Sequence, residues 1–366
     1  MKILVTGARG FVGRNLCLAL KNGGHDVLSY DLNNTKEELD VFLKEAEFIF
    51  HLAGVNRPKD TSEFKKGNQD FTSLILEKLR KFDSVAPIVF TSSIQATRDN
   101  DYGKSKKGAE EALKKYGIET GNLIYPLRLS NLFGKWSRPN YNSVIATWCH
   151  NIARDLDIVI SDPEIILELT YIDDLVNVFM SLLVEPSKKK IVQIPTFSVK
   201  LGKIAALLKE FKESRKSLDI RYLNDPFAQK LYATYLSYLP IDDFSYPLVT
   251  HGDNRGSFTE LIRLGTLGQV SVNVIKPGIT KGNHYHHTKN EKFIVLKGEA
   301  EIAFRLIGTN EIIRYVVNDK KFEVVDIIPG YTHSIKNIGK DDAVVIMWAN
   351  ETFDPNNPDT VFELVE

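Results

Sequence analysis

Near its start the chain reads Thr6-Gly7-Ala8-Arg9-Gly10-Phe11-Val12-Gly13. This stretch follows an apolar run at residues 2–5, which predicts a strand, and opens an amphipathic run at residues 13–22, which predicts a helix. Glycines at this spacing allow a tight turn and a close backbone approach, so that a pyrophosphate can sit at the positive end of the following helix. A glycine triplet alone is weak evidence, but its place between a strand and a helix makes it informative. The stretch therefore predicts a nucleotide-binding turn.

The rest of the first half alternates short apolar runs with amphipathic ones. Predicted strands at residues 25–30, 47–52, 87–90 and 123–128 alternate with predicted helices at residues 36–44, 70–82 and 102–115. Strands that alternate with helices of this length form a parallel sheet with helices on both faces. We therefore expect an α/β domain with a Rossmann-type, doubly wound parallel sheet over residues 1–243.

The sequence changes in character after about residue 240. Residues 239–247 contain two prolines and two aspartates, which predicts a connection. Beyond it come short runs with a period of two residues, with glycines in or beside the gaps: 269–275, 291–296, 300–306, 312–317, 321–327 and 343–348. Regular short strands without intervening helices favour an antiparallel sandwich or barrel of about 120 residues. We expect this all-β domain over residues 244–366.

Length and composition exclude several classes of protein. The 366 residues are enough for two domains, each with its own core, and 47 basic and 47 acidic residues give a net charge of zero. A neutral chain lacks the basic field that draws proteins to nucleic acid or anionic lipid. No apolar run approaches the ~20 residues of a membrane span, and the start has no features of a secretory signal. With only two cysteines, we expect a cytoplasmic protein that binds ligands in pockets, with no nucleic acid or membrane partner.

A tyrosine and a lysine lie four residues apart at the start of the predicted helix 102–115. Tyr102 and Lys106 therefore share one helix face. The Lys106 ammonium is expected to lower the pKa of the Tyr102 phenol from ~10 toward neutrality, so that the phenol can exchange a proton with a carbonyl or an alcohol. Ser93, at the end of the preceding strand, would hydrogen-bond the same oxygen, with Ser92 as the alternative. The three groups predict a catalytic site for carbonyl or alcohol chemistry.

Together with the glycine turn and the segment His51-Leu52-Ala53-Gly54, these residues resemble the extended short-chain dehydrogenase/reductase family, although this chain has a shorter connection between Ser93 and Tyr102 than typical members. The segment from Arg128 to Gly134 resembles that family's substrate segment, which implies substrate binding by Arg128 and Asn131. The resemblance implies a cofactor site formed by Gly7, Arg9, Gly10, Phe11, Val12, Gly13, Asp31, Leu52, Ala53, Gly54 and Lys106.

Two residues point to different cofactors. Asp31 closes the second predicted strand, where a carboxylate accepts a hydrogen bond from a ribose 2′-hydroxyl and repels a 2′-phosphate, which favours NADH. Arg9 lies inside the glycine turn, and related 4-ketosugar reductases that this chain resembles use that position to hold the 2′-phosphate of NADPH. The balance favours NADPH, with NADH as the alternative.

Half of the eight histidines lie within one stretch of 50 residues, which includes the spacing G-x5-H-x-H-x4-E-x6-G. His284 and His286 alternate by two on a predicted strand, so both imidazoles face the same side. Glu291 opens the next strand, and His333 can approach from another. Three imidazoles and one carboxylate suit zinc, iron, manganese or nickel better than calcium, and zinc is favoured. The pattern predicts a divalent metal site.

The histidine pattern resembles both motifs of the cupin family almost position for position, which implies a jelly-roll barrel. Nearby segments also resemble the dTDP-4-keto-sugar epimerases of the cupin superfamily. That resemblance implies His284 as the base beside the keto group, Lys281 or the metal as the partner of the enolate oxygen, and Arg255 and Glu260 as substrate-binding residues. His284 is also the first predicted metal ligand. His287 as the base, or a metal absent during turnover, are the alternatives.

Nearly the whole chain, including residues 140–146 and 348–355, resembles the bifunctional capsular-polysaccharide enzymes of the CapF type. The resemblance implies that the cupin epimerises C3 of a UDP-linked 4-keto-6-deoxy-N-acetylhexosamine and that the reductase then reduces C4. The implied product is UDP-N-acetyl-6-deoxy-L-talosamine, the precursor of UDP-N-acetyl-L-fucosamine, and a homodimer is expected. Two alternatives remain: a cupin that only dimerises or senses a ligand, and a cupin that is an iron oxygenase.

Overall fold

The structure is a computed structural model that describes residues 1–184, 192–220, 224–253, 256–259, 263–264, 269–351, 356 and 358–366. The chain forms two compact units. The N-terminal unit comprises Met1–Phe133, Asn140–Ser143 and Ile166–Val199, and the C-terminal unit comprises Gly134–Pro139, Val144–Ile165 and Lys200–Glu366. The domain boundary expected between residues 243 and 244 stays a prediction.

Strands and helices alternate through the first 200 residues. In chain order they are β1 Lys2–Thr6, α1 Phe11–Asn22, β2 Asp26–Tyr30, α2 Lys36–Glu45, β3 Phe48–His51, α3 Ser62–Phe64, a π-helix Lys65–Asp70, α4 Phe71–Lys81, β4 Ile88–Ser93, a 3₁₀ turn Ile94–Thr97, α5 Asp101–Thr120, β5 Ile124–Leu129, β6 Asn131–Phe133, α6 Val144–Ile152, β7 Ile166–Tyr171, α7 Ile172–Val184 and β8 Phe197–Lys200. None of the described helices is long and apolar enough to cross a membrane.

The main sheet of the N-terminal unit is parallel and has the order β2-β1-β3-β4-β5. Alternate residues of β1 enter different cores. Ile3 and Val5 pack with α1 and α7, whereas Leu4 packs with α2, α4 and α5. Because a strand presents successive side chains to opposite faces, these two cores lie on the two faces of the sheet. The prediction of a doubly wound, Rossmann-type sheet is confirmed.

The remaining residues are mainly strands. In chain order the elements are α8 Leu201–Ser217, β9 Asp219–Ile220, α9 Pro226–Leu236, a 3₁₀ turn Ile241–Asp243, β10 Ser245–Pro247, β11 Thr250–Asp253, β12 Gly256–Thr259, β13 Arg263–Leu264, β14 Gln269–Ile275, β15 Thr280–Tyr285, β16 Glu291–Lys297, β17 Glu299–Leu306, β18 Ile312–Asn318, β19 Glu323–Ile327, β20 Tyr331–Asn337, β21 Ala343–Ala349 and β22 Val361–Phe362.

Two antiparallel sheets of five strands dominate the described part of the C-terminal unit. Their orders are β10-β19-β16-β21-β14 and β18-β17-β20-β15-β22. The all-β prediction is therefore confirmed. The predicted connection at residues 239–247 is only partly a connection, because Ser245–Pro247 pairs with β19.

A buried group of charges joins α8 to the first of these sheets. Lys292 of β16 forms an ion pair with Asp326 of β19, and its ammonium donates to the Tyr246 hydroxyl at 2.9 Å. The Arg215 guanidinium of α8 lies 3.6 Å from Asp326 and 2.8 Å from Asp243. Burial of such charges is tolerated only when they are paired, so the network holds the helix against the sheet in one arrangement.

The glycine turn after β1 is closely packed. Gly7 has a φ of +69°, which a glycine adopts without strain, and its carbonyl accepts from the Gly10 amide at 3.0 Å. A Cβ atom at Gly13 would lie 2.1 Å from the Gly7 oxygen, which is far inside van der Waals contact. Gly13 therefore lets α1 begin directly against the turn.

We predict that Gly13→Ala destabilises the N-terminal unit by about 1–3 kcal/mol, because the backbone of the turn must move to accept the methyl group. Hydrogen exchange of the β1 amides measures this loss. Gly10→Ala is the matched control, because its Cβ would lie 3.2 Å from the same oxygen, and it is expected to cost much less. Equal protection of β1 in Gly13→Ala and wild type would contradict the prediction.

Candidate active site and metal centre

Three neighbouring strands of the parallel sheet end beside one another in the N-terminal unit. β1 ends at the Gly7 turn, β3 ends at His51 and β4 ends at Ser93. A Cβ atom at Gly7 would lie 2.9 Å from the backbone of Ala53, so the glycine turn touches the loop of Leu52, Ala53 and Gly54. The carboxyl edge of a parallel sheet is where such folds bind ligands, and most of the predicted cofactor residues meet there.

Asp31 and Arg9, the two residues predicted to choose the cofactor, lie next to each other. The Asp31 carboxylate accepts from the Arg9 amide at 2.7 Å and from the Leu32 amide at 2.8 Å. The Arg9 side chain is exposed. Asp31 thus stabilises the turn while the Arg9 guanidinium stays in solvent beside it.

Tyr102 lies in the first turn of α5, which Asn100 caps by accepting from the Gly103 amide at 2.7 Å. Burial raises the pKa of the Tyr102 phenol, and a hydrogen bond with Ser93 opposes that rise. The Ser92 hydroxyl lies near the Glu110 carboxylate instead. The structure therefore places Ser93, rather than Ser92, beside the tyrosine. The raised pKa is opposite to the lowering expected from Lys106.

Lys106 is buried, and the contacts of its ammonium explain why it does not lower the pKa of Tyr102. The Nζ atom donates to the Thr91 carbonyl at 3.0 Å and lies 5.0 Å from the centre of the Phe90 ring. Burial lowers the pKa of Lys106 to about 8, although Glu110 acts in the opposite sense. A Cβ atom at Gly54 would lie 2.9 Å from Nζ, so the ammonium also reaches the predicted cofactor loop.

Arg128 and Asn131 lie on the last strand of the sheet and directly after it. Arg128 forms a two-point hydrogen-bonded ion pair with Glu110, at 2.9 and 2.7 Å. The Asn131 amide donates to the Glu168 carbonyl at 3.3 Å. Arg128, Glu110 and Glu168 line a cavity of about 650 Å³ in this unit. The cavity is large enough for a sugar, but Arg128 already has a carboxylate partner in it.

Sequence reasoning missed a buried hydrogen-bond chain beneath this edge. Asn68, in the π-helix, accepts at its carbonyl from the Thr72 hydroxyl at 2.7 Å, so Thr72 must accept from His51 Nε2 at 2.8 Å. His51 Nδ1 then accepts from the Thr6 hydroxyl at 2.7 Å, and Thr6 accepts from the Ala53 amide at 3.2 Å. The directions fix one neutral tautomer of His51. Burial, and secondarily Lys106, lowers its pKa to about 3.

Asn68 extends this chain toward α5, the helix that carries Lys106. Its amide nitrogen donates to the Ser105 hydroxyl at 2.9 Å, and its oxygen accepts from the Val55 amide at 2.9 Å. The π-helix around Asn68 is an irregularity of the kind that often marks functional sites. No sequence pattern in the chain indicated it.

The predicted metal ligands converge in the C-terminal unit. One ligand atom from each of His284, His286, Glu291 and His333 lies within 4.8 Å of the other three. His284 pairs directly with His333 between β15 and β20, and Glu291 is the first residue of β16. A β-bulge between Gly282 and His284 sets this register. All but the half-buried His284 are buried.

These four side chains have the electrostatics of a cation site. Burial, together with His333 and His286, lowers the pKa of His284 to about 4, so its imidazole is neutral at pH 7. Burial would raise the pKa of Glu291, but His286 and His333 outweigh burial and hold it well below its usual range. Neutral imidazoles and a carboxylate are the forms that bind a divalent metal.

The residues present fit a divalent metal ion. Both ring nitrogens of His333 are buried and have no hydrogen-bond partner among the described residues. Burying two unsatisfied nitrogens is costly, and a bound cation would remove the cost at the one that faces Glu291, 3.6 Å away. Three imidazoles and one carboxylate match the donors that zinc and neighbouring transition metals take.

Asp359 was also missed, because it lies 68 residues beyond Glu291 in the sequence. Its carbonyl accepts from His286 Nδ1, and its carboxylate accepts from the backbone of the loop between β15 and β16. Burial would raise the pKa of Asp359, but these amide donors outweigh it and the pKa is lowered. A second missed residue is Lys289, whose ammonium lies 2.9 Å from Glu291 Oε1.

The structure describes Lys281 and His287, two of the four other residues predicted for the C-terminal site. The Lys281 ammonium donates to the Asn273 side chain at 2.6 Å and to the Val274 carbonyl at 3.0 Å, both on β14. The His287 ring packs against Tyr285. Arg255 and Glu260 lie outside the described residues, so their predicted substrate role stays a prediction.

Comparison with known proteins covers both units. Residues 3–194 match the NAD dependent epimerase/dehydratase family, and residues 251–361 match the Polysaccharide biosynthesis C-terminal domain. A Pseudomonas aeruginosa protein named UDP-2-acetamido-2,6-beta-L-arabino-hexul-4-ose reductase is 47% identical over 363 residues, or 98% of each chain. The crystal structure of the capsular polysaccharide assembling protein CapF from Staphylococcus aureus is 49% identical over both full lengths, with a TM-score of 0.69.

The chain belongs to the CapF family. A further CapF crystal structure, with the inhibitor 3-isopropenyl-tropolone, is 45% identical over both full lengths with a TM-score of 0.64. Membership in the CapF family confirms the predicted combination of an epimerase/dehydratase-type α/β domain with a cupin-like all-β domain. It also supports an NAD(P)-type cofactor for the N-terminal site.

We predict that His51 makes the N-terminal unit less stable in acid. The folded pKa of about 3 lies below the ordinary 6.5, so between these values the unfolded chain binds the extra proton and stability falls as pH falls. From pH 6.5 to 4.5 the loss is about 2–3 kcal/mol. His51→Gln keeps one donor and one acceptor but does not titrate, so its pH dependence should be weaker by that amount.

Hydrogen exchange of the β1, β3 and β4 amides measures the stability of the N-terminal unit at each pH. Tryptophan fluorescence would report on the C-terminal unit instead, because all three tryptophans of the chain lie there. His25→Gln is the matched control and should keep the wild-type pH dependence. An unchanged slope in His51→Gln would refute the assignment of a buried neutral imidazole.

Proposed function

We propose that this CapF-family chain is a bifunctional UDP-sugar enzyme of capsular or surface polysaccharide synthesis. Its all-β domain epimerises C3 of a UDP-2-acetamido-2,6-dideoxy-4-hexulose, and its α/β domain reduces C4 with NADPH. The product is UDP-N-acetyl-6-deoxy-L-talosamine, a precursor of UDP-N-acetyl-L-fucosamine. The observation that carries the proposal is the presence, in one chain, of a Ser93–Tyr102–Lys106 site and a buried three-histidine, one-carboxylate cluster. The reductase name of a relative aligned along 98% of the chain supports it.

In the reduction, NADPH supplies the hydride when bound. Tyr102 donates the proton to the C4 oxygen, and the hydroxyl of Ser93 holds that oxygen in line. Lys106, at the Gly54 loop, holds the cofactor ribose and provides positive charge beside the phenol. Its pKa of about 8 leaves most of its ammonium charged at pH 7. Arg128 and Asn131 orient the sugar nucleotide in the cavity that Arg128 lines.

In the epimerisation, a base removes the proton at C3 and a cation stabilises the C4 enolate oxygen. A proton that originates from solvent then returns to C3 from the opposite face, which restores the ketone and inverts the centre. A divalent metal, with zinc favoured, supplies positive charge when bound to His284, His286, Glu291 and His333. We assign the base to His284, with His287 as the alternative when His284 is held as a ligand. Lys281 supplies a positive charge for the enolate, and Arg255 and Glu260 contact the substrate.

The chemistry fixes the order of the two steps. A proton beside a ketone is acidic enough to remove only while the ketone exists. Epimerisation must therefore come first, and reduction then traps the epimer. We further propose that the enzyme works in the cytoplasm as a homodimer, where both the nucleotide sugar and NADPH are available. Arg9 selects NADPH, since its exposed guanidinium can reach a 2′-phosphate beside Asp31.

We predict that Tyr102→Phe lowers NADPH-dependent reduction of the epimerised 4-ketosugar by 10²–10⁴-fold, because the general acid is lost. Exchange of solvent deuterium into C3 should continue. NADPH absorbance and mass spectrometry measure the two steps. Tyr116→Phe removes a hydroxyl from the far end of the same helix and should keep both activities. Reduction by Tyr102→Phe at the Tyr116→Phe rate would refute the acid role.

We predict the converse for His333→Ala. Loss of one ligand should release the metal and abolish deuterium exchange at C3, while reduction of the epimerised ketosugar persists. Elemental analysis and NMR in deuterated buffer measure these effects, and His150→Ala is the matched control in the same unit. If wild type reduces the sugar but exchanges no deuterium, the all-β domain is not an epimerase, and dimerisation or ligand sensing becomes its role.

A further inference from the structure

The orientation of His286 depends on Asp359, which lies 73 residues later in the sequence. Its Nδ1 atom contacts the backbone carbonyl of Asp359. A carbonyl oxygen can only accept, so Nδ1 must carry the hydrogen. In the neutral ring Nε2 then keeps its lone pair, and it faces Glu291 Oε2 at 3.4 Å, so that both atoms are available to one cation. This is the tautomer that a metal ligand needs.

The Asp359 side chain fixes the loop that follows His286. Oδ1 accepts from the His287 amide at 2.8 Å. Oδ2 accepts from the Thr288 and Lys289 amides at 2.6 and 2.7 Å, and from the Thr288 hydroxyl at 2.9 Å. The four bonds wrap the loop between two ligand-bearing strands around one carboxylate, and this loop also presents Lys289 to Glu291.

The segment that carries Asp359 is itself tightly held. β22 pairs with β15, so that Phe362 lies opposite His284. The Arg305 guanidinium donates to the Leu364 carbonyl at 2.6 Å, to the Val365 carbonyl at 3.1 Å and to the Glu363 carboxylate at 2.9 Å. The Glu363 amide also donates to the carbonyl of Asn283 at 2.9 Å. Asp359 therefore lies just before a short strand, β22, that is paired with the ligand strand β15.

We propose that Asp359 is the positioning residue of the metal centre: its carbonyl sets the tautomer of His286, and its carboxylate holds the loop that keeps His286 and Glu291 in register. The inference rests on the metal centre of the proposed function. It adds that a segment around residue 359 completes a site whose ligands all lie before residue 334. Groups that orient a metal-bound imidazole in this way typically change metal affinity by 10–100-fold.

The test uses the full-length protein and zinc itself. Competition with a chromogenic chelator gives the zinc Kd. We expect Asp359→Asn to weaken binding by 10–100-fold, because the amide group cannot accept all four hydrogen bonds. Thr288→Val, which removes one of the four and preserves shape, should weaken binding by a smaller factor. Asp319→Asn is the matched control, since Asp319 accepts from the Gly298 amide at 2.8 Å in a hairpin turn outside the site.

A spectroscopic readout separates positioning from general destabilisation. In protein with ¹⁵N-labelled histidine rings, His286 should show a protonated Nδ1 in the wild type. Asp359→Asn keeps the backbone carbonyl but frees the loop that holds His286 against it, so a mixture of tautomers should appear. Thr288→Val should show a smaller share of the second tautomer, and it serves as the test if Asp359→Asn does not fold. Wild-type zinc affinity and one tautomer in both variants would overturn the positioning role alone. Failure of the wild type to bind zinc would overturn it together with the metal centre, while the reductase assay would still test the other half of the proposed function.

Discussion

Both candidate sites depend on the same constraint: a polar group that is buried away from water must find a partner or change its protonation state. In the N-terminal unit, burial lowers the pKa of Lys106 to about 8 and that of His51 to about 3. In the C-terminal unit, burial lowers the pKa values of His284 and His333. The consequence is a matched pair of environments. The first brings the pKa of a buried lysine at the edge of the sheet close to the physiological range, and the second keeps His284 and His333 unprotonated around a carboxylate, as cation binding requires.

Much of the fold was predictable because it follows from local periodicity. Ile3, Leu4 and Val5 alternate between two cores, so the apolar run at residues 2–5 already contained the information that helices cover both faces of the sheet. The glycine turn and the pair of histidines in the H-x-H spacing were predictable for a similar reason. Each places groups within one turn or one strand, where backbone geometry alone determines which side chains meet.

Other features were missed because they depend on contacts between distant segments. Asp359 reaches a loop about 70 residues earlier, and Asn68 acts through a π-helix that no composition signal marks. The raised pKa of Tyr102 belongs to the same class, since it reflects burial and not the spacing to Lys106. Helix α9 was also missed, although the sequence contains the signal for its start. Asp225 caps the helix and Pro226 opens it, a combination that indicates a helix start.

In this chain of zero net charge, basic side chains at both candidate sites are paired with acidic ones. Arg128, the predicted substrate cation, already binds the Glu110 carboxylate at two points, and Lys289 binds Glu291. An anionic sugar nucleotide that uses Arg128 must compete with Glu110 or share the guanidinium with it. Since a two-point arginine–carboxylate pair is directional, competition favours a ligand whose acceptors match the same planar geometry, such as a phosphate. If Arg128 binds the substrate, as proposed, its pairing with Glu110 lowers the affinity for simple anions and favours ligands that combine a phosphate with the shape of the cavity.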